Sequence, residues 1–190
     1  ENWIRKIVML TPNEERPVFL FFDSINNNQP NLWSMLFMSE GAVQTPTGLI
    51  TPVERIHDGK TLEQLPDGTP VRTLQKGLQR FSFTGQTWPT NMHSTGGINF
   101  DLYTITAFPA EFSMAQWTTT WQNSIEAQEY AQTMKKPYKE AQQILRLKSA
   151  TPFFNVLVPY KKGEMPYKVL AQGNKLVLSN NPEQITVSSN

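Results

Sequence analysis

The side chains whose chemistry could serve a substrate are few, and several of them lie in one short segment. Segment 88–97 is rich in glycine and combines an indole, an amide and an imidazole, while a guanidinium lies a few residues before it. Such groups can stack on a sugar ring or hydrogen-bond its oxygens. The predicted substrate-binding residues are therefore His93, Asn91, Trp88 and Arg80. A stable surface loop without a ligand is the alternative interpretation of the same residues.

Several kinds of catalytic site are not supported by the composition. Two histidines and no cysteine supply neither a histidine-rich metal cluster nor a thiolate nucleophile. No Gly-x-Ser-x-Gly elbow, phosphate-binding glycine loop or His-Glu-x-x-His helix occurs in the sequence. No catalytic residue and no metal ligand is therefore predicted. Further aromatic side chains are either sugar-stacking platforms or core residues; they are Trp117, Trp121, Tyr103 and Tyr130.

Length and hydrophobicity limit the class of protein. The chain has 190 residues, 38% of them hydrophobic, which is enough for one sizeable core. A single domain over residues 1–190 is therefore the simplest interpretation. Because a strand pattern begins almost at once, we expect this domain to be the C-terminal piece of a longer protein. No apolar run approaches the ~18 residues of a membrane span, so no span is predicted.

Charge is nearly balanced overall but unevenly distributed. The net charge is +1, whereas residues 125–190 carry 9 basic and 5 acidic side chains, a local excess of +4. An acidic polymer could be attracted by such an excess. The alternative is that the lysines are solvated and keep strand edges from pairing. A nucleic-acid partner is not expected, because no basic stripe is interleaved with stacking aromatics.

Strand patterns outnumber helical patterns along the chain. Residues 18–22 are apolar throughout, as expected for a strand covered on both faces, and residues 79–84 alternate like a half-buried strand. The apolar alternation of residues 98–108 changes phase, which predicts a bulge or bend near residues 102–103. Residues 39–70, rich in proline and glycine, are predicted to form a long loop with at most one short hairpin.

One segment departs from the strand pattern. Residues 124–143 are rich in Glu, Gln, Ala and Lys, with Ser124 placed as an N-cap. Pro137 interrupts this segment, so the helix is expected to end at residues 134–136. Short strands separated by turn residues follow, at 144–148, 153–158, 167–171, 175–179 and 184–188. The sequence therefore predicts an all-β fold, a layered antiparallel β-sandwich (supersandwich-like) with one or two short helices at most.

Five short segments, spread over most of the chain, resemble a known family. They are the basic strand opening 3–6, the apolar strand 19–23 that ends on Asp, the strand 32–36, the strand 143–147 and the basic turn 158–163. In these segments the chain is similar to the C-terminal β-sandwich domain of heparinase II/III-like polysaccharide lyases. The resemblance implies that an α/α-toroid domain, which is missing here, precedes this domain.

The resemblance also implies an activity for the parent protein. Such lyases act on acidic, uronate-containing glycans such as glycosaminoglycans, and cleave them by β-elimination after a Tyr or His base removes the C5 proton. Because the toroid supplies most of the reactive groups, the β-domain would support it, line the polymer cleft and be inactive alone. Many relatives bind zinc through a histidine where Phe37 or Met38 stands here, so no zinc and no other cofactor is expected. The resemblance further implies a periplasmic or secreted location.

Two alternatives remain open. A carbohydrate-binding module of non-enzymatic origin would expose coplanar aromatics and bind oligosaccharides by itself. A structural or protein-interaction sandwich would have neither property. An unpaired apolar face several hundred Å² wide would instead mark a missing partner domain.

Overall fold

The computed structural model describes residues 3–12, 16–25, 29–56, 70–86, 97–121, 124–172, 175–180 and 183–188. Within these ranges the chain forms fourteen β-strands and one α-helix. Their bounds in chain order are β1 Trp3–Leu10, β2 Val18–Ile25, β3 Asn31–Thr45, β4 Gly48–Ile50, β5 Val53–Ile56, β6 Arg72–Leu74, β7 Gly77–Gly85, β8 Ile98–Thr106, β9 Ala110–Trp121, α1 Ile125–Met134, β10 Tyr138–Ser149, β11 Phe153–Lys161, β12 Lys168–Gln172, β13 Lys175–Asn180 and β14 Glu183–Ser188. The predicted all-β class with a short helix is confirmed.

Eleven strands form one hydrogen-bonded array, in the order β1-β2-β11-β8-β7-β3-β10-β9-β5, with β4 beside β3 and β6 beside β9. β3 is shared between two sheets, because residues 31–38 pair with β10 whereas residues 39–45 pair with β7 and β4. The central sheet therefore contains β1, β2, β11, β8, β7, β4 and the end of β3. The outer sheet contains the start of β3, β10, β9, β5 and β6. The pairs are antiparallel except for β5 with β9.

An aromatic-rich core fills the space between the central and outer sheets. Phe37 of β3 packs against Phe83 and Phe100 of the central sheet, with ring centroids 4.8 and 4.7 Å away. Phe81 meets Phe112 of the outer sheet edge-on at 5.3 Å. Phe37, one of the two residues considered for the zinc position, is thus a core side chain.

The opposite face of the central sheet is covered by a second antiparallel sheet, β12-β13-β14, which we call the small sheet. Apolar side chains of both sheets form a second buried core; they include Val18, Leu20, Val156, Val158, Tyr167, Val169, Leu176 and Leu178. The central sheet is consequently the middle of three layers. Val18, Leu20 and Phe22 face this second core, whereas Phe19 and Phe21 on the other face are half-buried, so full coverage of residues 18–22 is seen on one face.

The predicted bulge at residues 102–103 is wrong. β8 pairs with β7 and with β11 in unbroken register through these residues. Leu102 points into the aromatic core and Tyr103 into the core beneath the small sheet, and both are buried. The apolar pattern changes phase because both faces of this middle strand are covered, which removes the need for one polar face.

The predicted long loop over residues 39–70 is wrong for its first part. β3 runs on to Thr45, a tight turn leads into β4 as the one predicted hairpin, and β5 follows; residues 57–69 lie outside the described ranges. β3 bends at Gly41, whose φ of 75° is in the left-handed region that glycine tolerates. The amide of the fully buried Gln143 donates to the Gly41 carbonyl at 2.7 Å and accepts from the Ser39 hydroxyl at 2.8 Å. The first of these bonds gives the Gly41 carbonyl a partner where the β3–β7 register shifts.

The helix prediction is confirmed at both ends. The Ser124 hydroxyl accepts a hydrogen bond from the Ala127 amide at 3.1 Å, and the helix ends at Met134, before Lys135 in a left-handed conformation. β10 and β11 also meet at the predicted break, but they enter different sheets. Among the described residues no helix is long and apolar enough to cross a membrane.

Candidate functional site

Arg80 is the predicted site residue whose surroundings can be described, because Trp88, Asn91 and His93 lie outside the described residues. Arg80 lies on β7, on the face of the central sheet that carries Asp101 of β8. Its Nη2 atom is 3.0 Å from Asp101 Oδ2. The Arg80 side chain is 52% exposed, whereas that of Asp101 is fully buried. The pair therefore fixes a surface guanidinium to a carboxylate in the interior.

Burial dominates the electrostatics of Asp101. Loss of hydration raises the pKa of this carboxyl above its usual value, while the neighbouring Ser82 hydroxyl and the charge of Arg80 act in the opposite direction. The strand register explains the arrangement, since Ser82 lies directly opposite Asp101 and Arg80 opposite Tyr103. The sheet thus places a hydroxyl and a cation beside the one carboxylate on this part of β8.

Two tyrosines border the same carboxylate. Burial, and next the negative charge of Asp101, raise the pKa of the Tyr103 phenol and that of the Tyr160 phenol. Both groups hold their protons more firmly than a free tyrosine does. They can donate hydrogen bonds, but they are poor bases near neutral pH.

A basic turn follows β11, the strand that lies beside β8 on the side away from β7. Tyr160 pairs with Asn99, two residues from Asp101, and Lys161 and Lys162 follow it on the surface. The turn is closed by a hydrogen bond from the Glu164 amide to the Lys161 carbonyl at 3.0 Å. We call Arg80, Lys161 and Lys162 the basic surface. Arg80 lies within β7, opposite Tyr103, whereas Lys161 is the last residue of β11, opposite Ile98.

A second arginine–aspartate pair lies at the edge of the central sheet. Arg5 of β1 and Asp23 of β2 are directly opposite in the register, and Arg5 Nε is 2.6 Å from Asp23 Oδ1. The guanidinium also lies over the indole of Trp3, 4.7 Å from the ring centroid. Trp3 is 58% exposed, so it is an aromatic surface that a ligand can reach.

The other aromatics proposed as platforms are mostly interior. Trp117 is 7% exposed and Tyr103 is 5% exposed, so both belong to the packed layers. Tyr130 of α1 meets the buried Tyr138 edge-on at 5.2 Å. The side chain of Trp121 lies outside the described part. Trp3 is the exposed indole that the sequence analysis did not select.

Sequence reasoning found Arg80 but missed its partner Asp101, and it missed Arg5 and Asp23 as a pair. The signal for Asp101 was present, because a lone acidic residue interrupts an otherwise apolar strand pattern in residues 98–108. No sequence signal pairs Arg5 with Asp23, which depends on the β1–β2 register. Within the described ranges no group of three or more His, Cys, Asp or Glu side chains could hold a metal ion.

Comparison with known proteins adds no assignment. The chain matches no family model, no curated protein and no solved structure. The geometry of the described residues and the resemblance of the five segments remain the guides to function.

Proposed function

We propose that this chain is the C-terminal β-domain of a heparinase II/III-like polysaccharide lyase, and that it binds an acidic, uronate-containing glycan alongside a catalytic toroid. The observation that supports this function best is the half-exposed Arg80 guanidinium anchored on the buried Asp101. The proposal includes a periplasmic or secreted location, where such polymers are met. The layered antiparallel fold agrees with it but does not identify it, since one fold serves many functions.

Arg80 is suited to an anionic sugar for a chemical reason. A guanidinium has five N–H donors in a plane, and an Arg–carboxylate contact can use two of them at once. With Asp101 at its buried end, the exposed part of the group can meet the carboxylate or sulfate of a glycan. Lys161 and Lys162 add two positive charges at the end of β11, five residues along β8 from the residue opposite Arg80. Their field would attract a polyanion before contact.

The tyrosines support binding rather than catalysis by this domain. A base that removes the C5 proton needs a pKa near the working pH. Burial and the charge of Asp101 move the pKa of Tyr103 and Tyr160 in the wrong direction for that role. In the proposal the base therefore comes from the toroid, and the isolated domain binds the glycan without cleaving it.

The decisive experiment compares two arginines. The full 190-residue chain is titrated with uronate oligosaccharides, sulfated and unsulfated, and with a neutral glucan as a reference. Replacing Arg80 with alanine removes a charged hydrogen-bonding group, for which we expect a loss of roughly 1.5–3 kcal/mol, or about tenfold or more in affinity. The control Arg72→Ala removes the same charge from the outer sheet, where Arg72 contacts Thr47 at 3.2 Å. We expect it to weaken binding much less.

Three results would contradict the proposal. Equal losses in both variants would show that net charge, rather than Arg80, determines binding. Absence of any binding to uronate oligosaccharides by the wild-type chain would remove the function altogether. Cleavage of the glycan by the chain alone would contradict the assignment of the base to another domain.

The exposed Trp3 favours a second candidate, a carbohydrate-binding module that acts by itself. An indole that is 58% exposed beside a guanidinium is a surface on which a sugar ring can stack. This candidate predicts that neutral glycans bind the isolated chain as well as acidic ones do. The proposed lyase domain predicts a preference for acidic glycans that weakens with salt.

A further inference from the structure

A cavity of about 340 Å³ lies where the first residues of β3 meet β1, β2 and the start of β11. Its size is within the range of roughly 300–1,000 Å³ found for small-molecule sites. Polar groups from four parts of the chain contribute to its wall. They belong to Trp3, Arg5, Asp23, Trp33, Ser34 and Thr151.

Two buried polar atoms of this wall have no hydrogen-bond partner among the described residues. They are Asp23 Oδ2, an acceptor, and Trp33 Nε1, a donor. The two residues are 5% and 6% exposed, so bulk water does not readily solvate these atoms. Buried polar atoms in folded proteins nearly always have a partner, so an ordered water or a bound ligand is expected beside both atoms. A hydroxyl fits both needs, because it donates and accepts at once.

The remaining wall is apolar except for Asn31, whose side-chain amide donates to the Gln29 carbonyl at 3.0 Å. Ile25, Leu32, Pro152 and Phe153 complete it. Hydroxyl-binding atoms next to apolar surface match a pyranose, whose ring has C–H faces and a hydroxyl-bearing edge. Trp3 and Leu32, 58% and 61% exposed, are at the rim and can move to admit a ligand to the covered atoms beneath.

The charge of the cavity selects among sugars. Arg5 and Asp23 neutralise each other through their 2.6 Å contact. A uronate carboxylate would compete with Asp23 for that guanidinium and would lie close to a second carboxylate. A ligand without charge leaves the pair intact.

We propose that this cavity binds one uncharged hexopyranose unit of a glycan, with its hydroxyl groups hydrogen-bonded to Asp23 Oδ2 and Trp33 Nε1. The site shares no residue with the basic surface, and Asp23 lies on the opposite face of the central sheet from Arg80. Binding at this cavity can therefore be tested independently of the function proposed for Arg80.

The test titrates the full chain with methyl glycosides of glucose, galactose, mannose and N-acetylglucosamine, and with methyl glucuronide as the charged comparison. Binding is followed by calorimetry and by intrinsic tryptophan fluorescence. We expect at least one neutral glycoside to bind, to change the indole emission and to keep its affinity at high salt. Asp23→Asn and Trp33→Phe should each weaken it about tenfold or more, because each removes a charged or buried hydrogen-bonding atom.

Two further variants, which add bulk at exposed positions, distinguish blocked binding from a failure to fold. Ser34→Tyr adds a ring at an exposed position of the cavity wall and should abolish binding, whereas Leu36→Tyr, at an exposed position two residues on that is outside the wall, should not. Arg72→Ala, on the outer sheet and outside the cavity wall, should leave binding of the neutral glycosides unchanged. The inference is overturned if no neutral glycoside binds, if binding survives Ser34→Tyr, or if Leu36→Tyr reduces it equally.

Discussion

Two arginine–aspartate pairs lie on opposite faces of the central sheet and differ in what surrounds the acid. Asp101 faces the small sheet, is fully buried and lies 3.0 Å from a half-exposed Arg80. Asp23 faces the other side at the sheet edge, lies 2.6 Å from Arg5 and has its second oxygen beneath a cavity. The same two residue types thus form a fixed surface cation in one place and a neutral polar pocket in the other.

The difference shows that the layer packed above each pair determines which of its groups a ligand can reach. The small sheet covers Asp101 closely, so the arginine is the group left for a ligand. The outer sheet does not close over the edge strand β1, where Trp3 and Ile7 are 58% and 56% exposed. The space beside Asp23 therefore stays open, and Arg5 and Asp23 form part of the cavity wall.

The largest loss of stability is expected at the bend of β3, where the strand passes from the outer sheet to the central sheet. Gln143→Leu removes the donor to the Gly41 carbonyl and the closer acceptor of the buried Ser39 hydroxyl, which keeps only the Phe37 carbonyl at 3.5 Å. We expect a loss of roughly 2–4 kcal/mol in the free energy of unfolding, measured by urea denaturation. Gln142→Leu on the same strand, half-buried and on the opposite face, is the control and should lose less. Equal losses would contradict the role given to the bend.

A smaller loss is expected when Arg80 is replaced with methionine. The buried carboxylate of Asp101 then has no cation beside it, which raises its pKa further. Because Arg80 is half exposed, we expect only about 1 kcal/mol of destabilisation at neutral pH. The loss should shrink in acid, where Asp101 becomes protonated. A loss that is the same at all pH values would mean that packing of the arginine stem is responsible.

The smallest expected effect is on the melting temperature, which should change in opposite directions when Asp101 and Asp23 are each replaced with asparagine. The folded pKa of Asp101 is raised, so its contribution to stability is full in acid and is lost as the pH rises through that pKa. Asp101→Asn should therefore raise the melting temperature at neutral pH by a few degrees at most and leave it unchanged near pH ~4. Asp23→Asn, which weakens a 2.6 Å ionic hydrogen bond, should lower it. Scanning calorimetry at several pH values measures both melting temperatures. A shift in the same direction for both variants would contradict the difference between the two acids.

The sequence predicted the class and most strands because turn residues and apolar alternation act locally. It predicted α1 to within a residue, since Ser124 and Pro137 are local signals. It failed at residues 102–103 because the apolar pattern of a strand covered on both faces cannot be told from a bulge without knowledge of the neighbouring layers. It failed over residues 39–56 because composition indicated a loop, whereas pairing with distant strands holds the segment extended.

The candidate sites were less predictable than the fold. Arg80 stood out beside a glycine-rich segment, but its importance depends on Asp101, which is opposite Ser82 only because β7 and β8 pair in that register. The cavity joins β1, β2 and β3 with residues near position 151. No spacing in the sequence brings those parts together, since the β2–β11 pairing spans more than half of the chain.

The position of β11 also has a consequence for how the chain reaches its native state. β11 pairs with β2 on one side and with β8 on the other, so the central sheet cannot be completed before residues 153–161 have been synthesised. Contacts between such distant segments slow folding, because a long loop must close before they form. Until then β2 and β8 keep unpaired apolar edges that can join another chain. Expression that slows translation or supplies chaperones is therefore expected to raise the soluble yield.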